Sequence, residues 1–213
     1  MTFWRFVPLA MLAAYASGMS AIIARYRVKY GRVPIRLSGS GGSGAMDGIR
    51  AAALIAFGAL LVWQALAAAF GMYIPLGNRL FDPLPVLGTI VALAGALLIL
   101  SAIATMGASW EIPVSGEKES PAAGLITSGP FRFSRNPIYL GFGITMVGWM
   151  LLIPTILSLL IVIGAMLNLR YQALQEEAYL IRRYGADYEA WARRVGRFVP
   201  WLGRLARSNR VQI

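Results

Sequence analysis

Long apolar runs alternate with short polar stretches along the chain, and the runs dictate its architecture. Residues 3 to 24, 50 to 70 and 86 to 106 carry almost no charge. Each is long enough to cross a hydrocarbon core of about 30 Å at about 1.5 Å per residue, so a membrane helix is expected in each. A fourth apolar stretch, Ile138 to Leu169, is interrupted by Pro154. Proline removes a backbone donor and clashes with the preceding turn, which predicts a helical hairpin with two short arms. The second arm can run on through Arg170 toward Glu177, because Tyr171, Gln172 and Ala173 offer no stop signal. The expected fold class is an all-α integral membrane protein of about five transmembrane helices, the last two a helical hairpin, with a cytoplasmic C-terminal helical tail. Residues 1–213 read as one domain, with three amino-terminal spans in 1–106, a flexible loop near 37–48, and a more polar half in 107–213.

Basic residues set the orientation. Arg25, Arg27, Lys29, Arg32, Arg36 and Arg50 follow the first span, and the tail from Arg170 is rich in arginine, whereas 71 to 85 holds only Arg79. By the positive-inside tendency the first two segments face the cytoplasm, the amino terminus lies outside, and 107 to 137 returns to the cytoplasmic side. Ala14-Tyr15-Ala16 has the small residues of a signal-peptide cleavage site, but the apolar run continues to Ala24, so a retained first helix is expected. Segment 38 to 44, SGSGGSG, is a flexible linker by composition.

Composition narrows the chemistry. The chain is 58% hydrophobic and 14% charged, with a mean hydropathy of +0.63, as a polytopic membrane protein should be. It has no cysteine and no histidine. Disulfides, thiolate nucleophiles and the commonest metal ligands and general bases are therefore excluded, and no metal is expected. The net charge of +11 accompanies arginines beside membrane spans rather than a basic soluble domain. Anionic lipid headgroups account for it, and no nucleic-acid partner is expected.

Two polar signatures stand out against this background. In GLITSGPFRFSRNPIYLG (124–141), Asn136 suits a helix N-cap and Pro137 the first helical position, ahead of the apolar run from Ile138. A plain helix start explains those residues. Gly124, Gly129 and Pro130 add tight turns and Thr127 and Ser128 add hydroxyls, so the loop also has the backbone of a ligand-binding segment. The second signature is Glu176-Glu177, opening EEAYLIRRYGADYEAW. Their helical neighbours at three and four residues are Gln172, Ala173, Leu174, Tyr179, Leu180 and Ile181, none of them basic. Intrahelical ion pairs do not explain them, which leaves either solvated carboxylates or a binding role. Gly185 is a plausible helix stop and Asp187 an N-cap for a short final helix through Trp191 and Val195.

Together these motifs resemble the isoprenylcysteine carboxyl methyltransferase family and its relatives among membrane phospholipid methyltransferases. The family pattern runs from L-V-T-x-G-x-Y through R-H-P-x-Y-x-G to E-E followed by L, F-G, Y and a basic residue. The matching pieces are Leu125 to Gly129, Arg135-Asn136-Pro137-Ile138-Tyr139-Leu140-Gly141, and Glu176-Glu177 with Leu180, Tyr184-Gly185, Tyr188 and Arg194. The resemblance covers about the carboxy-terminal half.

It implies a cytoplasm-facing S-adenosylmethionine site in 107–213. Ala123, Gly124, Leu125, Ile126, Gly129, Phe131, Arg135, Asn136, Pro137, Ile138, Tyr139, Glu176 and Glu177 are the implied cofactor-binding residues. Phe131 stands where the family has a tyrosine and keeps only stacking. Asn136 replaces a histidine, which points to binding rather than proton transfer. Gln172 stands where the carboxyl methyltransferases have an arginine for the substrate carboxylate. Gln172 and Arg170 are therefore the candidates for aligning the acceptor, although they point about 160° apart on an ideal helix.

Methyl transfer from a sulfonium needs alignment and exclusion of water rather than a histidine base. Carboxylates can hold the cofactor's ammonium or ribose hydroxyls, and Tyr139 or Trp110 can face its cationic part. The implied partners are the lipid bilayer and a lipid-like or small apolar acceptor, with an isoprenylcysteine-like carboxylate as one candidate. The expected location is a bacterial inner membrane. Two alternatives stand beside this reading. Sterol reductases, which use a nicotinamide cofactor, resemble the same helices and carry an Arg-x-Pro segment. A small transporter or scaffold needs a polar path through the spans, where Gln64 and Asn168 are the main polar residues.

Overall fold

The apolar runs fold as helices in the computed structural model, which describes residues 3–31, 33–36, 44–74, 76–110, 112–113 and 124–205. Helix α1 (Val7–Tyr30) follows a 3-10 turn at Phe3–Phe6 and runs beyond the apolar stretch through Arg27 and Lys29. Cations in a last turn complement the helix dipole. Gly31 then stops α1 in the left-handed conformation (φ 70°), its N–H donating to the Arg27 carbonyl at 2.9 Å. Helix α2 (Gly44–Phe70) begins within the stretch expected to be loop, while 37 to 43 lie outside the described residues. Helices α3 (Pro85–Met106), α4 (Pro137–Leu152) and α5 (Ile156–Ala192) complete the set. A parallel pair of two-residue strands, Ile35–Arg36 and Ile112–Pro113, is the single departure from helix among the named elements.

Among the described residues three helices are long and apolar enough to cross a membrane: Phe3–Tyr30, Pro85–Ser109 and Ile156–Ala192. Ile55–Phe70, the described apolar part of α2, and Pro137–Leu152 are shorter apolar stretches. By length and composition the chain is a multi-pass membrane protein.

Contacts divide the chain into two compact units. The first comprises Met1–Pro85, Gly107–Ala123 and Leu152–Leu157. In it the Phe6 ring meets Phe70 edge-on at 6.3 Å, so α1 and α2 run antiparallel. Gln64 is fully buried on α2 among Leu61, Ala65 and Ala67. The break that Pro154 imposes is stitched to the loop after α2: Leu80 N–H donates to the Pro154 carbonyl at 2.8 Å, and Leu157 N–H to that of Leu76 at 3.2 Å.

The second unit comprises Val86–Met106, Gly124–Leu151 and Ser158–Ile213. Helices α3 and α4 meet along small residues. A methyl group at Gly95 would stand 2.5 Å from the Gly141 carbonyl oxygen, and one at Gly148 would stand 2.6 Å from the Ala92 nitrogen. Without a hydrophobic drive between helices in lipid, such backbone approach supplies the packing. The opposite face of α3 exposes Leu87, Ile90, Leu93, Leu97 and Leu100, a stripe suited to acyl chains. Helix α4 then folds back on α5, with Gly143 against Met166 near the middle and Tyr139 against Glu176 farther along. Gly185 interrupts α5 with φ 49° and ψ −123°, and a last helical segment continues to Ala192, with Tyr188 and Trp191 buried.

Candidate functional site

The loop before α4 is seated by glycine. Gly129 has φ 56°, and a Cβ there would come within 2.7 Å of Thr105 Oγ1 at the end of α3. The following 3-10 turn, Gly129–Arg132, buries Phe131 in a core with Ala102, Tyr188, Trp191, Ala192 and Val195. Leu125, Ile126 and Ile138 pack against that core from its edge. Gly124 is exposed, with open space where a side chain would project. Ala123 lies outside the described residues.

Pro137 opens α4 and Leu140 N–H donates to the Asn136 carbonyl at 3.0 Å, so the backbone of Asn136 is the helix cap expected. Its side chain turns elsewhere: Asn136 Nδ2 donates to the Arg197 carbonyl at 3.1 Å and lies 3.5 Å from Glu177 Oε1. The preceding residue goes deeper. Arg135 Nη1 donates to the Ala192 carbonyl at 2.9 Å, and Nη2 donates to Glu177 Oε1 at 2.9 Å and to the Gly203 carbonyl at 2.8 Å.

Glu177 is thus the centre of a buried ionic clasp. Arg197 grips it from the opposite side with two donors, Nε to Oε1 at 2.9 Å and Nη2 to Oε2 at 3.0 Å. The hydrogen bond to Glu177 is the main cause that raises the Arg197 pKa above its ordinary value, against a smaller opposing effect of burial. The side chains of Arg135 and Glu177 are 1% and 6% exposed, so these charges interact with little screening. The carbonyl of Arg197 also accepts from Ser134 Oγ and from the Asn136 N–H. Segment 193–205 is in this way strapped to the start of α4. Its own shape depends on Gly196, where any side chain would collide with the Val199 carbonyl.

Glu176, one residue earlier, faces a different surrounding. It is half-buried and its Oε2 accepts from the Tyr139 hydroxyl at 3.0 Å. Tyr139 also lines an apolar cleft of about 260 Å³ with Val91 of α3, Gly143 and Val147 of α4, and Met166 and Leu169 of α5. Met166, Leu169, Ala173 and Glu176 recur at three- and four-residue spacing, so α5 carries the cleft wall and the carboxylate on one face. Gln172 is half-buried one turn before Glu176, whereas Arg170 is exposed. Trp110 belongs to the first compact unit, where it is buried edge-on against Tyr26 at 5.8 Å.

The structure therefore gathers Arg135, Asn136 and Glu177 into the clasp, and Tyr139 and Glu176 at the cleft. Arg197 is the residue that sequence reasoning passed over. One signal pointed to it: a carboxylate on an apolar helix with no basic neighbour within four residues needs a partner from afar if it is to be buried.

Comparison with known proteins converges on the same stretch. Residues 84–187 match the family model for phospholipid methyltransferase. A protein-S-isoprenylcysteine O-methyltransferase of Saccharomyces cerevisiae is 33% identical over 118 residues, which are 55% of this chain and 49% of the yeast protein. The chain spans about half the length of the curated relative it matches. The matched residues include α3, the loop and start of α4, the α3, α4 and α5 residues that line the cleft, and both carboxylates of α5. Over that stretch the chain is similar to the phospholipid methyltransferase family, and the isoprenylcysteine-type relative points the same way.

Proposed function

We propose that the chain is an integral-membrane methyltransferase that uses S-adenosylmethionine to methylate a lipidic or apolar acceptor. The observation that carries this reading is the contact between Tyr139 and Glu176, which sets a carboxylate at the polar end of an apolar cleft between helices of the matched segment. The family-model match and the yeast relative support the same reaction class.

The residues present fit the cofactor. Tyr188 Oη, Trp191 Nε1 and Arg135 Nε are buried with no hydrogen-bond partner among the described residues. All three are donors, and buried donors require acceptors. An amino-acid nucleoside brings carboxylate, hydroxyl and ring-nitrogen acceptors, and the core holding Tyr188 and Trp191 is edged by the loop residues Leu125 and Ile126. Gly124, Leu125, Ile126, Gly129, Pro137, Ile138, Tyr139 and Glu176 are the residues that would hold it. Bound there, the sulfonium supplies an activated methyl group. Glu176 accepts hydrogen bonds from ammonium or ribose hydroxyls, Tyr139 orients Glu176 and offers a ring face to positive charge, and the apolar cleft wall excludes water. Gln172, on the Glu176 side of α5, aligns the acceptor's polar end, and exposed Arg170 provides a cation near the headgroups.

The same reading has all five helices spanning the bilayer, with the amino terminus outside and both carboxylates at the cytoplasmic face. The chain has no native cysteine, so single-cysteine variants report sidedness without background. In intact cells, Tyr73→Cys should react with a membrane-impermeant maleimide and Arg27→Cys should not; the reverse pattern inverts the topology.

For the activity, calorimetry on the purified chain should show saturable binding of S-adenosylmethionine and S-adenosylhomocysteine, lost in Glu176→Ala. A labelled-methyl screen across isoprenoid thiols, phospholipid amines and small thiols should then identify the acceptor atom. Binding of a nicotinamide nucleotide in place of both sulfur compounds overturns the reading.

A further inference from the structure

The carboxy-terminal strap returns from the end of α5 to the start of α4 and there makes a tight turn. It is bridged to the α4 loop at Ser134 and Gly196, with Arg135 N–H donating to the Gly196 carbonyl at 2.9 Å and Asn136 N–H to that of Arg197 at 3.1 Å. Phe198 follows and lines the cleft with Tyr139 and Leu140 of the first turn of α4. The turn at 199–202 comes next, closed by the Leu202 N–H on the Val199 carbonyl at 3.3 Å and by the Arg197 N–H on the Leu202 carbonyl at 2.9 Å. Its far end is tied down as well: the Gly203 carbonyl accepts from Arg135 Nη2, and Leu205 N–H donates to the Ala192 carbonyl at 3.1 Å.

This fixed turn holds its large side chains out of the fold. Trp201 is 74% and Leu202 71% exposed, and Val199 is exposed as well. A turn with proline second and a left-handed third residue favours glycine at that third place, yet Trp201 follows Pro200 there with φ 69°. A bulky residue in that region is strained, and here the strain secures no buried contact for the ring. What it secures is display: a wide indole carried outside on a backbone tied at both ends. Large apolar groups held out on an ordered base mark an interaction surface.

The surroundings identify the partner. The strap from 193 to 205 contains no acidic residue, and Arg194 and Arg204 are exposed on either side of the turn in sequence. The loop bridged to the strap adds exposed Arg132 and Phe133. Cations beside an exposed indole complement a layer of anionic phosphates over hydrocarbon, the layer in which tryptophan concentrates. Position agrees with chemistry. The apolar run of α4 begins directly after Pro137, and apolar side chains of α3, α4 and α5 wall the cleft that Phe198 lines, so this part of the strap lies where those helices enter lipid. Trp201, three residues farther on, is within about 11 Å of Phe198 at no more than about 3.6 Å per residue.

We propose that the turn at 199–202 is an interfacial anchor: Trp201 and Leu202 seat in the boundary between headgroups and acyl chains of the bilayer in which α4 lies, and Arg194 and Arg204 bind the anionic phosphates of that leaflet. The partner is a phospholipid surface rather than a soluble protein. The inference goes beyond the proposed reaction and needs only that α4 and α5 lie in lipid. The strap that clasps Glu177 through Arg197 is then held from the membrane side as well.

The test uses the full-length chain in nanodiscs of phosphatidylcholine, alone or mixed with phosphatidylglycerol. With no native cysteine, a fluorophore can be attached at Leu202→Cys and, for reference, at Ala186→Cys, an exposed site on α5 beyond the carboxylates. A lipid nitroxide near the top of the acyl chain should quench the label at 202 several-fold more than the label at 186, and aqueous acrylamide should do the reverse. Phosphatidylglycerol should strengthen the lipid quenching at 202, and raised salt should cancel that gain. Trp201→Asn, which tolerates the left-handed turn but removes the ring, should cut the lipid quenching at 202 several-fold while the unfolding midpoint holds. A label at 202 that acrylamide reaches as readily as the one at 186 leaves the turn in water, and one that neither quencher reaches is covered by protein; either result overturns the proposal. Lipid quenching indifferent to phosphatidylglycerol overturns the assignment to anionic lipid, and a Trp201→Asn chain that unfolds early yet keeps its lipid contact makes Trp201 a residue of the fold and overturns its role as anchor.

Discussion

The interior around Glu177 and the cleft edge around Glu176 are one residue apart in the chain and differ in almost every physical respect. Glu177 is buried between two guanidinium groups that also hold the Ala192 and Gly203 carbonyls and the carboxy-terminal strap. Glu176 is half-buried and accepts from a tyrosine that lines an apolar cleft. Successive helical residues point about 100° apart, so a carboxylate pair can serve two surroundings at once. A charge bonded on both sides within the fold holds the strap to the start of α4, and a half-buried charge stands at the cleft's edge. On the proposed reading the doublet divides positioning from binding.

The largest expected effect separates the two on stability. Glu177→Ala leaves Arg135 and Arg197 facing each other without their shared anion, and removing one partner of a buried ion pair costs about 3 to 5 kcal/mol. Thermal unfolding in detergent should fall sharply, and trypsin should cut at Arg197 and Arg204 once the strap lets go. A Glu177→Ala chain that resists trypsin as the unmodified chain does would remove the clasp from the account.

The next effect should appear in binding rather than folding. Glu176→Gln retains the volume and one acceptor but loses the charge, and hydrogen bonds to a charged group contribute about 1.5 to 3 kcal/mol. S-adenosylhomocysteine affinity should drop by roughly tenfold or more while the unfolding midpoint barely moves. If Glu176→Gln destabilises as much as Glu177→Ala, the division between the two carboxylates collapses.

That division was half legible in the sequence. The apolar runs located the helices because membrane spans need long uncharged stretches, and Pro154 located the turn between α4 and α5. Pro137 and Asn136 marked the start of α4 because the first helical position tolerates a missing N–H. The missing basic neighbours around Glu177 also correctly argued against an ion pair within the helix, since its partners are Arg135 and Arg197. What the pattern lacked was distance information. Arg135 is 42 residues from Glu177 and Arg197 is 20, and nothing in a tail crowded with arginines distinguishes Arg197 from Arg194, which is exposed. The strap carries no hydrophobic period to place it, because carbonyls and one turn at Gly196 hold it rather than a packed helical face.

A smaller effect sharpens the cleft side. Tyr139→Phe keeps the ring that lines the cleft and deletes the hydroxyl that donates to Glu176. A hydrogen bond of this kind contributes about 0.5 to 1.5 kcal/mol net. Stability should fall by no more than that, and S-adenosylhomocysteine affinity by a few-fold, less than for Glu176→Gln. Loss of binding equal to that of Glu176→Gln would mean that the hydroxyl touches the cofactor itself.

The smallest expected effect calibrates the others. Arg193 and Glu189 form an ion pair at 3.6 Å across one turn near the end of α5, close in sequence to the clasp, with side chains 37% and 29% exposed. Pairs of this kind contribute about 0.3 to 0.5 kcal/mol and weaken further with salt. Glu189→Ala should therefore leave the unfolding midpoint and trypsin resistance almost unchanged, even though it removes a glutamate from the same helix as Glu177. The contrast isolates burial as the variable: both are glutamate-to-alanine changes that take away an arginine's partner, and only the one at Glu177 also leaves two guanidinium groups without their counter-charge away from bulk water. A loss at Glu189 comparable to that at Glu177 would mean that general repulsion among the tail arginines, rather than the buried clasp, governs how the strap is held.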